Sequence, residues 1–196
     1  MSPTNRRRPQ PTLPPPARKA TSLRRWAAFL APMVVIAVLI AIFSASGSPG
    51  SATPEKAPAF NLTDTTGNAV TLDSVLAGGD ALLYFSMGVG CDGCFEQIPE
   101  ITADLQGRGI TLVSIMVDDP QAVAAEAARF GITTPIFIDQ DRSVSTAYGM
   151  IGVYGHGDRP SHSFALVGQD GTVKHTEHYA TMFVPLDQLL SDLGLS

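Results

Sequence analysis

The chain is short of the residues that staple a fold or crowd a metal. Only two cysteines occur in 196 residues, Cys91 and Cys94, and a pair three apart closes no large loop. That excludes a small scaffold held together by disulfides. With no third cysteine, a tetrahedral zinc site would have to draw two histidines from the four present. Negative charge is missing from the first quarter: all 18 acidic residues lie at or after Glu55, where only six of the 13 bases fall. The later part is therefore strongly acidic, which argues against a nucleic-acid binder, whose affinity rests on neutralising phosphates. No internal repeat is visible.

The bases withheld from the acidic part sit at the start. Arg6, Arg7, Arg8, Arg18, Lys19, Arg24 and Arg25 precede the run WAAFLAPMVVIAVLIAIF, residues 26–43, which carries no charge. As a helix it would rise about 27 Å, close to the thickness of a bilayer's hydrocarbon core. No polar face interrupts it, so a helix packed in a soluble core is a poor account. Bases before the run and none just after it predict a cytoplasmic N-terminus and an extracytoplasmic remainder at the cell membrane. A cleaved signal peptide, with Ser44–Ser46 as its small-residue site, is the competing reading, but the long proline-rich leader is unlike a compact signal. The expected organisation is a disordered basic leader over 1–25, a single transmembrane anchor over 26–43, a flexible linker over 44–58 and one folded domain over 59–196.

Within that domain the pattern alternates. Residues 60–72 read as a hairpin around Thr66-Gly67-Asn68. Residues 81–86 and 110–117 read as apolar strands, and 91–106 as a helix with apolar positions at Ile98, Ile101 and Leu105. Asp119-Pro120 is a helix start and Gly131 its stop. A strand at TPIFID, a short helix at SVSTAYG, a hairpin around Gln169-Asp170-Gly171 and a closing helix over 185–193 complete the chain. Strands alternating with helices and then a terminal hairpin predict an α/β sandwich, not an all-parallel sheet.

The stretch MGVGCDGCFEQIP, residues 87–99, follows a strand and opens a helix. Unpaired N–H groups and the positive end of the helix dipole favour a thiolate at Cys91. Cys94, one turn on, is close enough for a Cys91–Cys94 disulfide. The expectation is an exposed, attacking Cys91 and a buried, resolving Cys94. Asp92 between them should oppose the thiolate and favour a reductant. Two metal readings compete: zinc with His175 and His178, which a strand would point to opposite faces, and copper with His162 or a methionine among Met87, Met150 and Met182. An exported chain with two clustered cysteines favours the redox reading, which needs no cofactor beyond the disulfide.

Residues 58–196 resemble the thioredoxin-like superfamily, in the membrane-tethered redoxin group of AhpC/TSA (peroxiredoxin-related) and TlpA/ResA type. CDGCFEQIP is similar to that family's C-x-x-C with a proline five residues beyond, here Pro99. APAFNLTDTTGNAVTL is similar to its N-terminal hairpin, and RPSHSFALVGQDGTV to its later segment, with Pro160, Phe164 and Gly171 at the matching positions. The resemblance implies a central mixed sheet flanked by helices, and a cis Pro160 that packs beside the disulfide and shapes the substrate groove. It also departs from both branches: Gly90 stands where thioredoxins carry tryptophan, and Gly88 where peroxiredoxins carry threonine. Arg159 is a candidate anion or peroxide donor. His162 is a candidate proton carrier or thiolate-tuning cation, and Glu96 and Glu100 are candidate proton relays, with solvated surface as the simpler account of the glutamates. The expected activity is thiol–disulfide oxidoreduction on protein substrates, with an unidentified electron donor. A thiol-dependent antioxidant peroxidase is the alternative, and a copper- or zinc-binding module comes third.

Overall fold

The computed structural model describes residues 55–196. The leader, the candidate anchor and residues 44–54 of the linker lie outside the described residues. Among the described residues no helix is long and apolar enough to cross a membrane.

Seven strands form one mixed sheet in the order β2-β1-β5-β4-β3-β6-β7. The first hairpin comprises β1 (Asn61–Asp64) and β2 (Ala69–Thr71), and β1 runs antiparallel to β5 (Ile136–Ile138). At the centre, β3 (Asp80–Phe85) is parallel to β4 (Ile110–Met116) and antiparallel to β6 (His162–Val167). β6 then turns back into β7 (Val173–Tyr179). The hairpin's turn is built by Asp64, whose carboxylate accepts from the backbone and side chains of both Thr66 and Asn68.

The alternation of side chains along β3 and β6 divides the core into two layers. Leu83, Phe85, Ala165 and Val167 face α1 (Leu72–Leu76) and α4 (Ser143–Ala147). Leu82, Tyr84, Phe164 and Leu166 face α2 (Asp92–Gly107), α3 (Pro120–Arg129) and α5 (Leu186–Asp192). The expected strands and main helices are present, and α3 starts as read, with Asp119 capping it through the Gln121 and Ala122 amides and Pro120 at its first position. Two elements were not anticipated. The sequence pattern extends the hairpin to Leu72, but Thr71 and Ser74 form a reciprocal capping box that turns residues 72–76 into α1. A single 3₁₀ turn, Val153–Gly155, also interrupts the approach to β6.

Candidate active site

The dithiol segment sits where β3 ends at the centre of the sheet and α2 begins. Cys91 is the N-cap of α2 and its Sγ accepts from the Cys94 amide at 3.2 Å. The two cysteines form a disulfide, with their Cα atoms 5.3 Å apart. Their burial corrects the expectation of an exposed first sulfur: Cys91 is only 4% exposed and Cys94 is 0% exposed. The dithiol turn is closed in by the Met182 backbone, which approaches Gly93 between the two cysteines. The order of access is nevertheless as expected, because what surface the pair retains belongs to Cys91.

The loop before Cys91 is held by a pair of charges. Arg159 donates to Asp118 through both terminal nitrogens, at 3.0 and 2.7 Å, and to the Met87 carbonyl at 2.6 Å. Asp118 Oδ2 also accepts from the Val89 amide at 2.9 Å. Two loop residues, Met87 and Val89, are thus tied to the Arg159–Asp118 pair. Gly88 is forced by this arrangement: its φ is +81°, and a Cβ there would lie 2.0 Å from Asp118 Oδ2. A threonine at 88 has no room. Three of the five Arg159 N–H groups are thus engaged by Asp118 and Met87, which ties the guanidinium to the loop while the side chain stays 35% exposed.

Asp92 is paired as well. Its carboxylate meets Arg129 of α3 at 2.5 Å, and Arg129 also pairs with Glu126 and lies over the Phe130 ring at 4.2 Å. Asp92 was expected to act on Cys91 as a bare negative charge. Arg129 of α3 partly offsets that charge, and shares its own with Glu126.

On the buried side of α2 lies a continuous polar network inside an otherwise apolar layer. The Tyr84 hydroxyl is 2.9 Å from His162 Nδ1 and 3.1 Å from the Cys94 carbonyl. His162 Nε2 is 3.0 Å from Gln97 Oε1. Gln97 in turn clamps Val184, donating to its carbonyl at 3.1 Å and accepting from its amide at 2.7 Å. Tyr84, Gln97 and His162 are fully buried. Burial pushes the His162 imidazole down to about 4 and the Tyr84 phenol well above its usual range. Beside this clamp, the backbone of Met182 presses on the dithiol: a Cβ on Gly93 would lie 2.7 Å from the Met182 carbonyl oxygen.

The remaining expected residues are placed as follows. Pro160 is buried at the entry to β6 and bridges Ile151. No cis peptide occurs among the described residues, which corrects the cis expectation at Pro160. A turn closed by the Arg159 N–H on the His156 carbonyl ends just before Pro160, and Pro160 itself lies in extended pairing with Ile151, where the ordinary trans bond fits. Glu96 and Glu100 are exposed on the outer face of α2. His175 bonds Glu177 while His178 bonds the Ser163 hydroxyl, so the two histidines are not brought together. Met150 packs in the layer with α1 and α4, on the other side of the sheet from His162. The sequence alone assigns no role to Asp118, Gln97 or Arg129, and it places Tyr84 in the core. Asp118 stands next to a helix cap and Tyr84 reads as plain core; Gln97 alone carried a faint signal, as a polar residue beside the apolar stripe of α2.

The chain is similar to known proteins both in sequence and in fold. A putative peroxiredoxin of Mycobacterium tuberculosis is 35% identical over 101 residues, covering 50% of this chain and 64% of that protein. The thiol-disulfide oxidoreductase ResA of Geobacillus thermodenitrificans is 30% identical over 122 residues, covering 60% of this chain and 64% of that protein. The matches thus span less than two thirds of these relatives. Among solved structures, the peroxidoxin BcpB of Mycobacterium tuberculosis superposes with a TM-score of 0.58 at 22% identity, over 72% of this chain and 96% of that one. A putative protein disulfide isomerase of Bacteroides thetaiotaomicron does so with a TM-score of 0.54 at 23% identity, over 72% of this chain and 89% of that one. These likenesses establish the thioredoxin-like fold. The Redoxin family model matches residues 52–182, which takes in the hairpin, the dithiol, the loop clamp and the buried histidine, and the chain belongs to that family.

Proposed function

We propose that this protein is a thiol–disulfide oxidoreductase, tethered to the cell membrane by residues 26–43 with its redoxin domain on the extracytoplasmic side. The observation that carries the reading is the Cys91–Cys94 disulfide at the N-terminus of α2, with its residual surface on Cys91. A substrate thiolate attacks Cys91 Sγ, and Cys94 leaves with the bonding pair. In the opposite direction Cys91 attacks a substrate disulfide and Cys94 resolves the mixed disulfide. The α2 dipole and the Cys94 amide stabilise charge on Cys91 in either direction. Pro160, at the entry to β6, borders the groove for a substrate polypeptide, and His162 is the group suited to hold a proton. The partners are protein thiols or disulfides and a separate electron donor, and no cofactor beyond the disulfide is required.

A peroxidase reading is favoured by the 35% identity to a putative peroxiredoxin. The loop weighs against it. Stabilising the breaking O–O bond calls for free donors around the peroxide. Here Gly88 has no room for a hydroxyl-bearing side chain, and three of the five Arg159 N–H groups are held by Asp118 and Met87. Stopped-flow oxidation of the reduced dithiol separates the two. The expected result is fast exchange with protein disulfides and a peroxide rate close to that of an ordinary thiolate. Cys94→Ser should trap a mixed disulfide through Cys91, and Cys91→Ser should trap none. A peroxide rate orders of magnitude above a free thiol, abolished by Cys91→Ser, would establish the peroxidase instead.

A further inference from the structure

The buried network beneath Cys94 can be read by counting hydrogens. Val184 fixes the Gln97 amide from both sides, because its N–H donates to Oε1 and its carbonyl accepts from Nε2. Reversing the amide would set donor against donor and acceptor against acceptor. The atom that faces His162 Nε2 is therefore an oxygen, and Nε2 must carry a hydrogen. In a neutral imidazole Nδ1 is then bare. The Tyr84 hydroxyl faces both Nδ1 and the Cys94 carbonyl, yet a phenol has one hydrogen. With His162 neutral, one of these two buried contacts holds no hydrogen. With a proton on Nδ1 both are filled: Nδ1–H donates to Tyr84, and Tyr84 donates to Cys94.

We propose that Gln97 is a positioning residue that locks His162 in its Nε2–H form, leaving Nδ1 as a buried acceptor that takes up one proton when Cys94 becomes a thiolate. The inference rests on the thiol–disulfide reading above. When a substrate thiolate attacks Cys91 Sγ, a new S–S bond forms and the Cys91–Cys94 bond breaks. Its electron pair leaves on Cys94 Sγ. A second substrate thiol then displaces Cys91, so the substrate departs as a disulfide and the cysteine pair holds two electrons. A thiolate on fully buried Cys94 is costly alone. A proton from solvent on Nδ1 places an imidazolium in the same dry layer and offsets it. The proton is released when the disulfide closes again.

The groups facing His162 leave it as the site of uptake. From β3 comes Tyr84, whose phenol burial keeps protonated. From β7 comes the Tyr179 ring, 6.5 Å away between centroids, with its hydroxyl donated to Asp192 of α5. From α2 come Gln97 and, through the Tyr84 hydroxyl, Cys94. Phe164 covers the ring on β6. In the oxidised protein burial holds the imidazole near 4, so it is neutral at pH 7.

The test is long-range proton–nitrogen NMR on the full-length, ¹⁵N-histidine-labelled chain, oxidised and then reduced with dithiothreitol. The oxidised protein should show His162 as the Nε2–H tautomer. On reduction its midpoint should rise by about one to three pH units, the range for an opposite charge close by. Gln97→Leu should mix the tautomers and shrink that rise. Tyr84→Phe, a milder change, should keep the tautomer and weaken the link to Cys94. An Nδ1–H tautomer in the oxidised wild-type protein, or the same His162 midpoint in both redox states, overturns the proposal. Because dithiothreitol supplies the electrons, failure to exchange with protein disulfides would count against the function alone.

Discussion

Asp118→Ala is the substitution that strikes hardest at the loop before the dithiol. The Asp118 side chain is 9% exposed, and it joins the Val89 amide to both terminal nitrogens of Arg159. Truncation leaves the Val89 N–H without its acceptor, a loss of about 1–3 kcal/mol for a buried group. It also leaves Arg159 without its counter-charge. That side chain is 35% exposed, so water screens it and the ion pair adds no more than about 1 kcal/mol. The expected destabilisation is about 1–4 kcal/mol in urea unfolding followed by circular dichroism with the disulfide intact. Asp118→Asn keeps an acceptor for Val89 and loses the charge, so it should cost about 1 kcal/mol. Hydrogen exchange locates the effect: the Val89 amide should lose protection in Asp118→Ala and keep most of it in Asp118→Asn. A cost under about 0.5 kcal/mol, ordinary for an exposed substitution, together with unchanged Val89 protection would show that the clamp does not hold the loop.

Three further outcomes are expected. His162 binds its proton less readily in the folded chain than at its ordinary value of 6.5, so the unfolded state takes up more protons between pH 6.5 and about 4. The oxidised protein should therefore lose about 3 kcal/mol as pH falls through that window, and His162→Gln should flatten the slope; a stability indifferent to pH there would contradict the burial of a neutral imidazole. Gly93→Ala must displace the Met182 backbone that the Gln97–Val184 clamp holds, costing roughly 1–3 kcal/mol in chemical denaturation, and a neutral substitution would mean the segment yields freely. The full-length chain should remain in the membrane fraction, with its domain open to protease added outside spheroplasts, whereas a soluble exported product starting near Gly47 would refute the anchor.

Local chemistry was enough to read most of this architecture. A capped, proline-initiated helix, two hairpin turns and short apolar strands depend on neighbours within a few residues, so the chain displays them directly. The C-x-x-C pair announces itself for the same reason, since both thiols and the helix start lie within one turn. The meaning of single polar residues did not follow from the chain. Arg159 and Asp118 are 41 residues apart and their pairing exists only because the end of β4 meets the entry to β6. Gln97 and Glu96 are adjacent and chemically close, yet the helix turns one to the core and the other to water. Tyr84 and His162 belong to strands 78 residues apart, and the antiparallel pairing of β3 with β6 sets the phenol against the imidazole. Gly88 could be read from sequence only as a missing threonine; the carboxylate that fills its space comes from the segment after β4. Sequence thus determined where the sulfurs stand. Tertiary packing decided which distant groups are brought, dry and within hydrogen-bond reach, around them.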